Sequence, residues 1–184
     1  MAKKHFFIIA FLCWLLPFVL RIFLVKIPEM DMSSAEISEN SIDRTIQFLL
    51  EGNRQKAFLS VFCNNILGCV INILGGVLLG FGTLLNLLLN GFLSADIFVS
   101  SYHSGVSAWT IMKITLPHSI EFIGFWLSGA TGFYIAWHII QAMRNKDSFS
   151  RQFYKTVGWG SLLTVVIISV AAYAEIYISM DFVK

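Results

Sequence analysis

The sequence is poor in charged residues and in cysteine. Of its 184 residues only 13% are charged, whereas 57% are hydrophobic. Ordinary soluble domains carry about 25% charged residues, and disordered chains combine high charge with low hydrophobicity, so both classes are excluded. The net charge of +2 is too small to suggest a nucleic-acid partner. The three cysteines lie in apolar runs without a C-x-x-C pair, which predicts buried free thiols rather than disulfides or a zinc site.

Long apolar runs with few charges predict an all-α integral membrane protein with five transmembrane helices. One membrane domain is expected over residues 1–184. The first span is not a signal peptide, because no A-x-A-like cleavage site follows it. Spans 2 and 3 are expected to separate at Gly80-Phe81-Gly82-Thr83, where two glycines permit a tight hairpin. The predicted spans are residues 5–26, 57–80, 83–102, 117–142 and 153–178.

Two short helices are predicted outside the spans. Residues 27–56 form a hydrophilic segment rich in acidic residues, within which apolar residues keep helical spacing. This pattern predicts a short amphipathic helix on the outer membrane surface. In the segment 103–116, Trp109 and its apolar neighbours suggest a short interfacial helix.

Lysine and arginine predict the orientation. With five spans, the N-terminus and the loop 143–155 lie on the same side, which holds six basic residues and one acid. The positive-inside rule places this side in the cytoplasm, and residues 27–56, 103–116 and the C-terminus outside. Arg21, near the far end of the first span, can snorkel toward the interface.

Small and amide side chains recur every third or fourth residue in spans 2 and 3. Such faces let helices approach closely and hydrogen-bond, within one chain or between copies, so a homo-oligomer stays open. The amides can equally line a polar site. The two faces are Asn65, Gly68, Asn72, Gly76 and Gly80 in span 2, and Gly82, Asn86, Asn90 and Ser94 in span 3.

Four ionisable residues fall in the outer half of spans 3, 4 and 5: Asp96, His118, Glu121 and Glu175. We consider three interpretations of this polar cluster. It is a structural knot, a metal or acid–base site in which His118, Glu121 and Glu175 are ligands, or a proton- or ion-coupled path or peptide-binding recess. A histidine and a carboxylate one helical turn apart also occur in the metal sites of helix bundles.

Several blocks of the sequence resemble the stage II sporulation protein M family. They are Asn64-Asn65 through Gly75-Gly76, Gly80-x-Gly82-Thr83, Asn90-Gly91, Leu116-Pro117-His118-Ser119-Ile120-Glu121, Gly129-Ala130-x-Gly132 and the late Glu175. The resemblance covers residues 45–180, although the family pattern has glycine where Ser119 stands. It implies a multi-pass protein of the prokaryotic cytoplasmic (inner) membrane. The family's namesake resembles a partner of a cell-wall hydrolase complex in sporulation, and other members are encoded beside export or bacteriocin genes. The matching positions, which have no agreed chemistry, are Asn65, Asn90, Gly91, His118, Glu121 and Glu175; the first three form the candidate polar face.

These observations predict a non-enzymatic membrane subunit or scaffold of a cell-envelope complex, active in cell-wall remodelling or peptide export. Its expected partners are membrane lipid and other membrane or envelope proteins, which would contact the segments 27–56 and 103–116. One alternative is a transporter or channel component whose polar path is lined by His118, Glu121 and Glu175. Another is an intramembrane metal-dependent enzyme. No cofactor is predicted apart from the metal in that last alternative.

Overall fold

Five helices of the protein are long and apolar enough to cross a membrane, as the sequence predicts. The computed structural model describes residues 3–23, 44–45, 47–109, 111, 118–144 and 149–177. These residues form helices and turns, and no strand occurs among them. The five helices are α1 (Lys3–Phe23), α2 (Arg54–Gly75), α3 (Phe81–His103), α4 (His118–Met143) and α5 (Arg151–Tyr177).

A turn over residues 76–80 joins α2 to α3, slightly earlier in the chain than predicted. Gly80 is the N-cap of α3 and has a left-handed φ of 84°, which glycine adopts without a steric penalty. Gly82 lies inside α3 instead of in the turn, and it faces Gly75. A Cβ on Gly75 would collide with the backbone of the first turn of α3. Gly75 and Gly82 therefore allow α2 and α3 to approach closely, while Gly80 allows the chain to turn between them.

The two short helices predicted outside the spans are not confirmed. Much of the segment 27–56 lies outside the described residues, although residues 44–45 and 47–50 are helical. In the other segment, residues 112–117 also lie outside the described residues. The fold that positions the candidate site is therefore that of the five long helices.

Helix α4 is the centre of the bundle. It contacts all four other helices, which form an arc around it in the order α1, α3, α2, α5. Each pair of neighbours in this arc is also in contact. Because α4 has helices on most of its sides, it is the most buried of the five. Its remaining open side lies between α1 and α5, the two ends of the arc.

Small residues and aromatic rings account for much of the packing. Gly91 of α3 lies against the Trp14 carbonyl of α1, and Gly132 of α4 lies against the Asn72 carbonyl of α2. A Cβ at either glycine would collide with that oxygen. The Trp14 ring lies 5.5 Å from the Trp126 ring of α4, centroid to centroid. In lipid, where apolar contacts alone gain little, such close contacts are what hold helices together.

Successive helices run in opposite directions, so the bundle has two distinct ends. The end called here the N-terminal end contains the starts of α1 and α5, the turn 76–80 and the last turn of α4. The other end, called the far end, contains the starts of α2 and α4 and the last turns of α1, α3 and α5. At the far end the Arg54 guanidinium lies 6.0 Å from the centroid of the Tyr177 ring, which links α2 to α5.

Candidate functional site

Amide and hydroxyl side chains meet where α2, α3 and α4 touch. Asn72 of α2 is fully buried and donates through Nδ2 to Ser128 Oγ of α4 at 2.9 Å. Its Oδ1 accepts a hydrogen bond from Asn86 Nδ2 of α3 at 2.8 Å, and its carbonyl accepts one from Thr83 Oγ1 at 2.7 Å. We call Asn72, Thr83, Asn86 and Ser128 the asparagine network. It ties three helices together in the interior of the bundle.

Asn90, a residue of the predicted polar face, extends this network along α3. Its Nδ2 donates to the Asn86 carbonyl at 2.8 Å and to Asn86 Oδ1 at 3.1 Å. Ser94 Oγ in turn donates to the Asn90 carbonyl at 2.7 Å. Amides and hydroxyls carry no charge near neutral pH, so these groups are suited to holding helices or binding a polar ligand rather than to acid–base chemistry.

The other two residues of the predicted polar face have different surroundings. Asn65 is buried on α2 with 8% of its surface exposed, and its side chain makes no hydrogen bond to the residues that the structure describes. Gly91 permits the close contact between α1 and α3 described above. The role of Asn65, Asn90 and Gly91 as a functional face stays a prediction.

An ion pair is buried between α1 and α3 toward the far end. Arg21 Nε donates to Asp96 Oδ1 at 2.8 Å, and Arg21 Nη2 contacts the same oxygen. The two residues are 3% and 4% exposed. The sequence led us to expect Arg21 to snorkel to the interface and Asp96 to join the ionisable residues of spans 4 and 5. The structure instead gives each of the two residues the other as its partner.

The free-energy cost of placing a single charge in a membrane explains why Arg21 and Asp96 are buried together. A lone charge at the centre of a transmembrane helix raises the insertion free energy by about 2.5–3.5 kcal/mol. The guanidinium of Arg21 meets the carboxylate of Asp96 and lies 5.7 Å from the centroid of the Phe92 ring. The charged interaction therefore fixes α1 against α3.

The predicted cluster of His118, Glu121 and Glu175 falls at the far end, where α4 begins and α5 ends. His118 is the first residue of α4, but its side chain lies outside the described residues. Glu121 in the first turn of α4 and Glu175 in the last turn of α5 are both half-buried and both interact with other residues. Because α4 and α5 pack against each other in opposite directions, these helix ends are neighbours. A contact among all three residues stays a prediction.

A metal site is also left as a prediction. Within the described part of the chain, no three histidine, cysteine, aspartate or glutamate side chains lie close enough together to hold a metal ion. The predicted ligand set includes the side chain of His118, which lies outside the described part of the chain.

Asn64 belongs to a block that resembles the family, but the sequence did not mark it as a candidate site residue. It is the eleventh of the 22 residues of α2, so it lies near the middle of a membrane span. The residue is exposed, and its side chain makes no hydrogen bond to any described residue. The sequence signal was the doublet Asn64-Asn65, because consecutive helical residues are about 100° apart and cannot share a face.

The cysteines are free thiols, as expected, but Cys69 alone of the three is buried. Cys63, next to Asn64, is exposed, whereas Cys69 is buried and Cys13 is half-buried. The two exposed residues Cys63 and Asn64 therefore mark a side of α2 that faces away from the bundle.

Comparison with known proteins assigns the family. The sequence profile described as stage II sporulation protein M matches residues 6–180. An uncharacterized protein of Methanocaldococcus jannaschii is 27% identical over 130 residues, which cover 69% of this chain and 73% of that protein. No solved structure matches the chain. Because the profile covers nearly the whole chain and reaches all five helices, the protein belongs to the stage II sporulation protein M family.

Proposed function

We propose that the protein is a non-enzymatic membrane subunit that scaffolds or assists a cell-envelope complex, in cell-wall remodelling or peptide export. In this proposal it lies in the cytoplasmic membrane with its N-terminus in the cytoplasm. The observation that carries the proposal is the exposed amide of Asn64, halfway along α2. Membership of a family named after a sporulation protein supports the envelope setting.

An amide at this depth needs a polar partner. Moving an amide from water into hydrocarbon without a hydrogen bond costs about 4–8 kcal/mol on the cyclohexane scale and about 1–3 kcal/mol by protein mutations. The amides of Asn72 and Asn86 avoid this cost by pairing with each other across α2 and α3. Asn64 faces away from the bundle, where lipid tails offer no partner. We therefore expect a polar group on a transmembrane helix of another protein to meet it.

The polar groups inside the bundle also favour a scaffold, because they hold its helices in fixed positions. The asparagine network and the pair of Arg21 and Asp96 direct their hydrogen bonds to neighbouring helices. These bonds fix the relative positions of α1, α2, α3 and α4. A rigid bundle that presents the unpaired amide of Asn64 halfway along a span is suited to holding a partner helix in a defined place.

The test compares assemblies recovered from native membranes. Asn64→Leu removes the amide but suits lipid, and Asn64→Gln keeps an amide. Leu12→Ala is the control, since Leu12 is 52% exposed on α1, a helix that packs against α3 and α4 rather than against α2. After mild solubilisation, the mass of each assembly is measured by size-exclusion chromatography with light scattering, and its proteins are identified by mass spectrometry.

Wild type, Asn64→Gln and Leu12→Ala are expected in an assembly with envelope proteins, well above the monomer mass of 20.7 kDa. Asn64→Leu is expected near the monomer mass, with the helix content and melting temperature of wild type. A monomeric wild type, or an unchanged assembly in Asn64→Leu, would rule the proposal out.

A transporter or channel component is the second candidate, with a polar path lined by His118, Glu121 and Glu175. The half-buried carboxylates of Glu121 and Glu175 favour it, because charged residues inside membranes often belong to ion or proton pathways. Purified protein reconstituted alone in liposomes would then carry an ion or proton flux. Liposomes that are no more permeable than protein-free ones would remove this candidate.

A further inference from the structure

The open side of α4 forms a groove at the N-terminal end of the bundle. Its volume is about 430 Å³, within the range of about 300–1,000 Å³ that is typical of small-molecule sites. Helices α1 and α5 form its walls and α4 forms its floor. The lining includes Phe6, Phe7, Ala130, Tyr134, Lys155 and Trp159.

The shape of the groove follows from the arrangement of the helices. Since α1 and α5 are the two ends of the arc, none of the described helices lies between them over α4. Gly160 of α5 lies directly against Thr131 of α4, so α5 approaches the floor closely at this level. The preceding residue Trp159 is 63% exposed, so a large aromatic ring stands at the rim.

The mouth of the groove is cationic. Lys155 lines the groove and is exposed, and Arg151 lies one helical turn earlier on α5. All the charged side chains that the structure describes at this end of the bundle are basic. They are Lys4, Arg144, Arg151 and Lys155. A cationic mouth leading to an apolar, aromatic groove matches the two chemical halves of a phospholipid, and basic pockets between transmembrane helices bind anionic headgroups.

We propose that this groove binds one anionic phospholipid from the surrounding leaflet. The Lys155 ammonium and the Gln152 amide meet the phosphate, and an acyl chain lies along Phe7 and Ala130. The Trp159 ring lies at headgroup level, where tryptophan is enriched in membrane proteins. A second copy of the chain in the same orientation would bring only further basic side chains to this end, among those that the structure describes, whereas an anionic headgroup supplies a counter-charge to Lys155. Charge complementarity therefore selects the lipid.

Native mass spectrometry of the purified full-length protein tests this proposal. It compares the binding of phosphatidylglycerol with that of phosphatidylcholine carrying the same acyl chains. Wild type is expected to prefer phosphatidylglycerol. Lys155→Gln should lower this preference about fivefold, while Lys155→Arg should keep it. The control Lys56→Gln removes an exposed lysine at the far end and should leave the preference unchanged.

A second variant tests the groove independently of its charge. Thr156 lines the groove, and Thr156→Trp should fill it and reduce the binding of both lipids. Equal binding of both lipids by wild type would overturn the proposal. An equal loss of the preference for phosphatidylglycerol in Lys155→Gln and Lys56→Gln would also overturn it, because the preference would then come from the overall surface charge. Unchanged binding in Thr156→Trp would place the lipid elsewhere. If wild type were a dimer without bound lipid and Trp159→Ala were a monomer, the groove would bind a second copy of the chain instead of a lipid.

Discussion

Arg21 and Asp96 are 75 positions apart in the sequence, yet they bring opposite charges together between α1 and α3. Replacing a buried ion pair with apolar residues is often neutral, whereas removing one partner leaves the other charge buried and uncompensated. This asymmetry distinguishes a pair that holds the fold from one that is merely tolerated. It also applies to a membrane protein, because the lipid interior offers no solvent to a lone guanidinium.

We therefore expect Asp96→Leu to lower the free energy of unfolding by about 3–5 kcal/mol. The double variant Arg21→Met with Asp96→Leu should recover most of this loss, since it removes both charges. Thermal and denaturant unfolding in detergent micelles measures both changes. Equal destabilisation in the single and double variants would contradict the physical account, because the loss would then come from packing and not from the stranded charge.

Residue spacing predicted part of the candidate site. The repeat of amides every fourth residue placed Asn86 and Asn90 on one face of α3, and the structure joins them by hydrogen bonds. The same pattern placed Asn72 on the facing side of α2. Spacing could not predict that Asp96 would pair with Arg21. That choice depends on which helices become neighbours and how each is rotated, which a single helix does not encode.

At the scale of the helix, hydropathy predicted five spans because a membrane crossing requires a long apolar run. The turn between α2 and α3 was predicted a few residues too late for an equally physical reason. Glycine serves both left-handed turns and close helix contacts, and the sequence does not separate the two uses. Gly80 has the left-handed backbone, whereas Gly82 and Gly75 pack against each other inside their helices. Gly91 is the corresponding contact between α1 and α3.

Gly91→Ala should therefore loosen α1. The added methyl group would collide with the Trp14 carbonyl and the Pro17 ring, and overpacking of this kind typically destabilises by about 1–3 kcal/mol. The matched control is Gly158→Ala in α5, where a Cβ meets nothing within 4 Å. This control should be neutral or slightly stabilising, because alanine favours helix more than glycine does. Melting temperatures in micelles give the comparison, and similar losses in both variants would contradict the contact.

At the scale of the whole molecule, the two ends of the bundle differ in the charges that they carry. The described charged side chains at the N-terminal end are all basic, whereas the far end carries both acids, Glu121 and Glu175, and bases, Arg54 and Lys56. From the positive-inside rule we propose that the basic end lies in the cytoplasm. The leaflet that supplies the lipid is then the inner one, where a lysine at the mouth of a groove meets the negative surface potential of anionic lipids.

Single cysteines introduced at the two ends test this orientation. In a background whose three native cysteines are replaced by alanine, we place Gln55→Cys at the far end and Phe149→Cys at the N-terminal end; both positions are exposed. A membrane-impermeant maleimide should label Gln55→Cys on intact cells and Phe149→Cys only after permeabilisation. The reverse pattern would move the groove and Lys155 to the outer leaflet. Labelling of both positions on intact cells would contradict the arrangement of five membrane crossings, because α2 to α4 would then no longer separate the two sites.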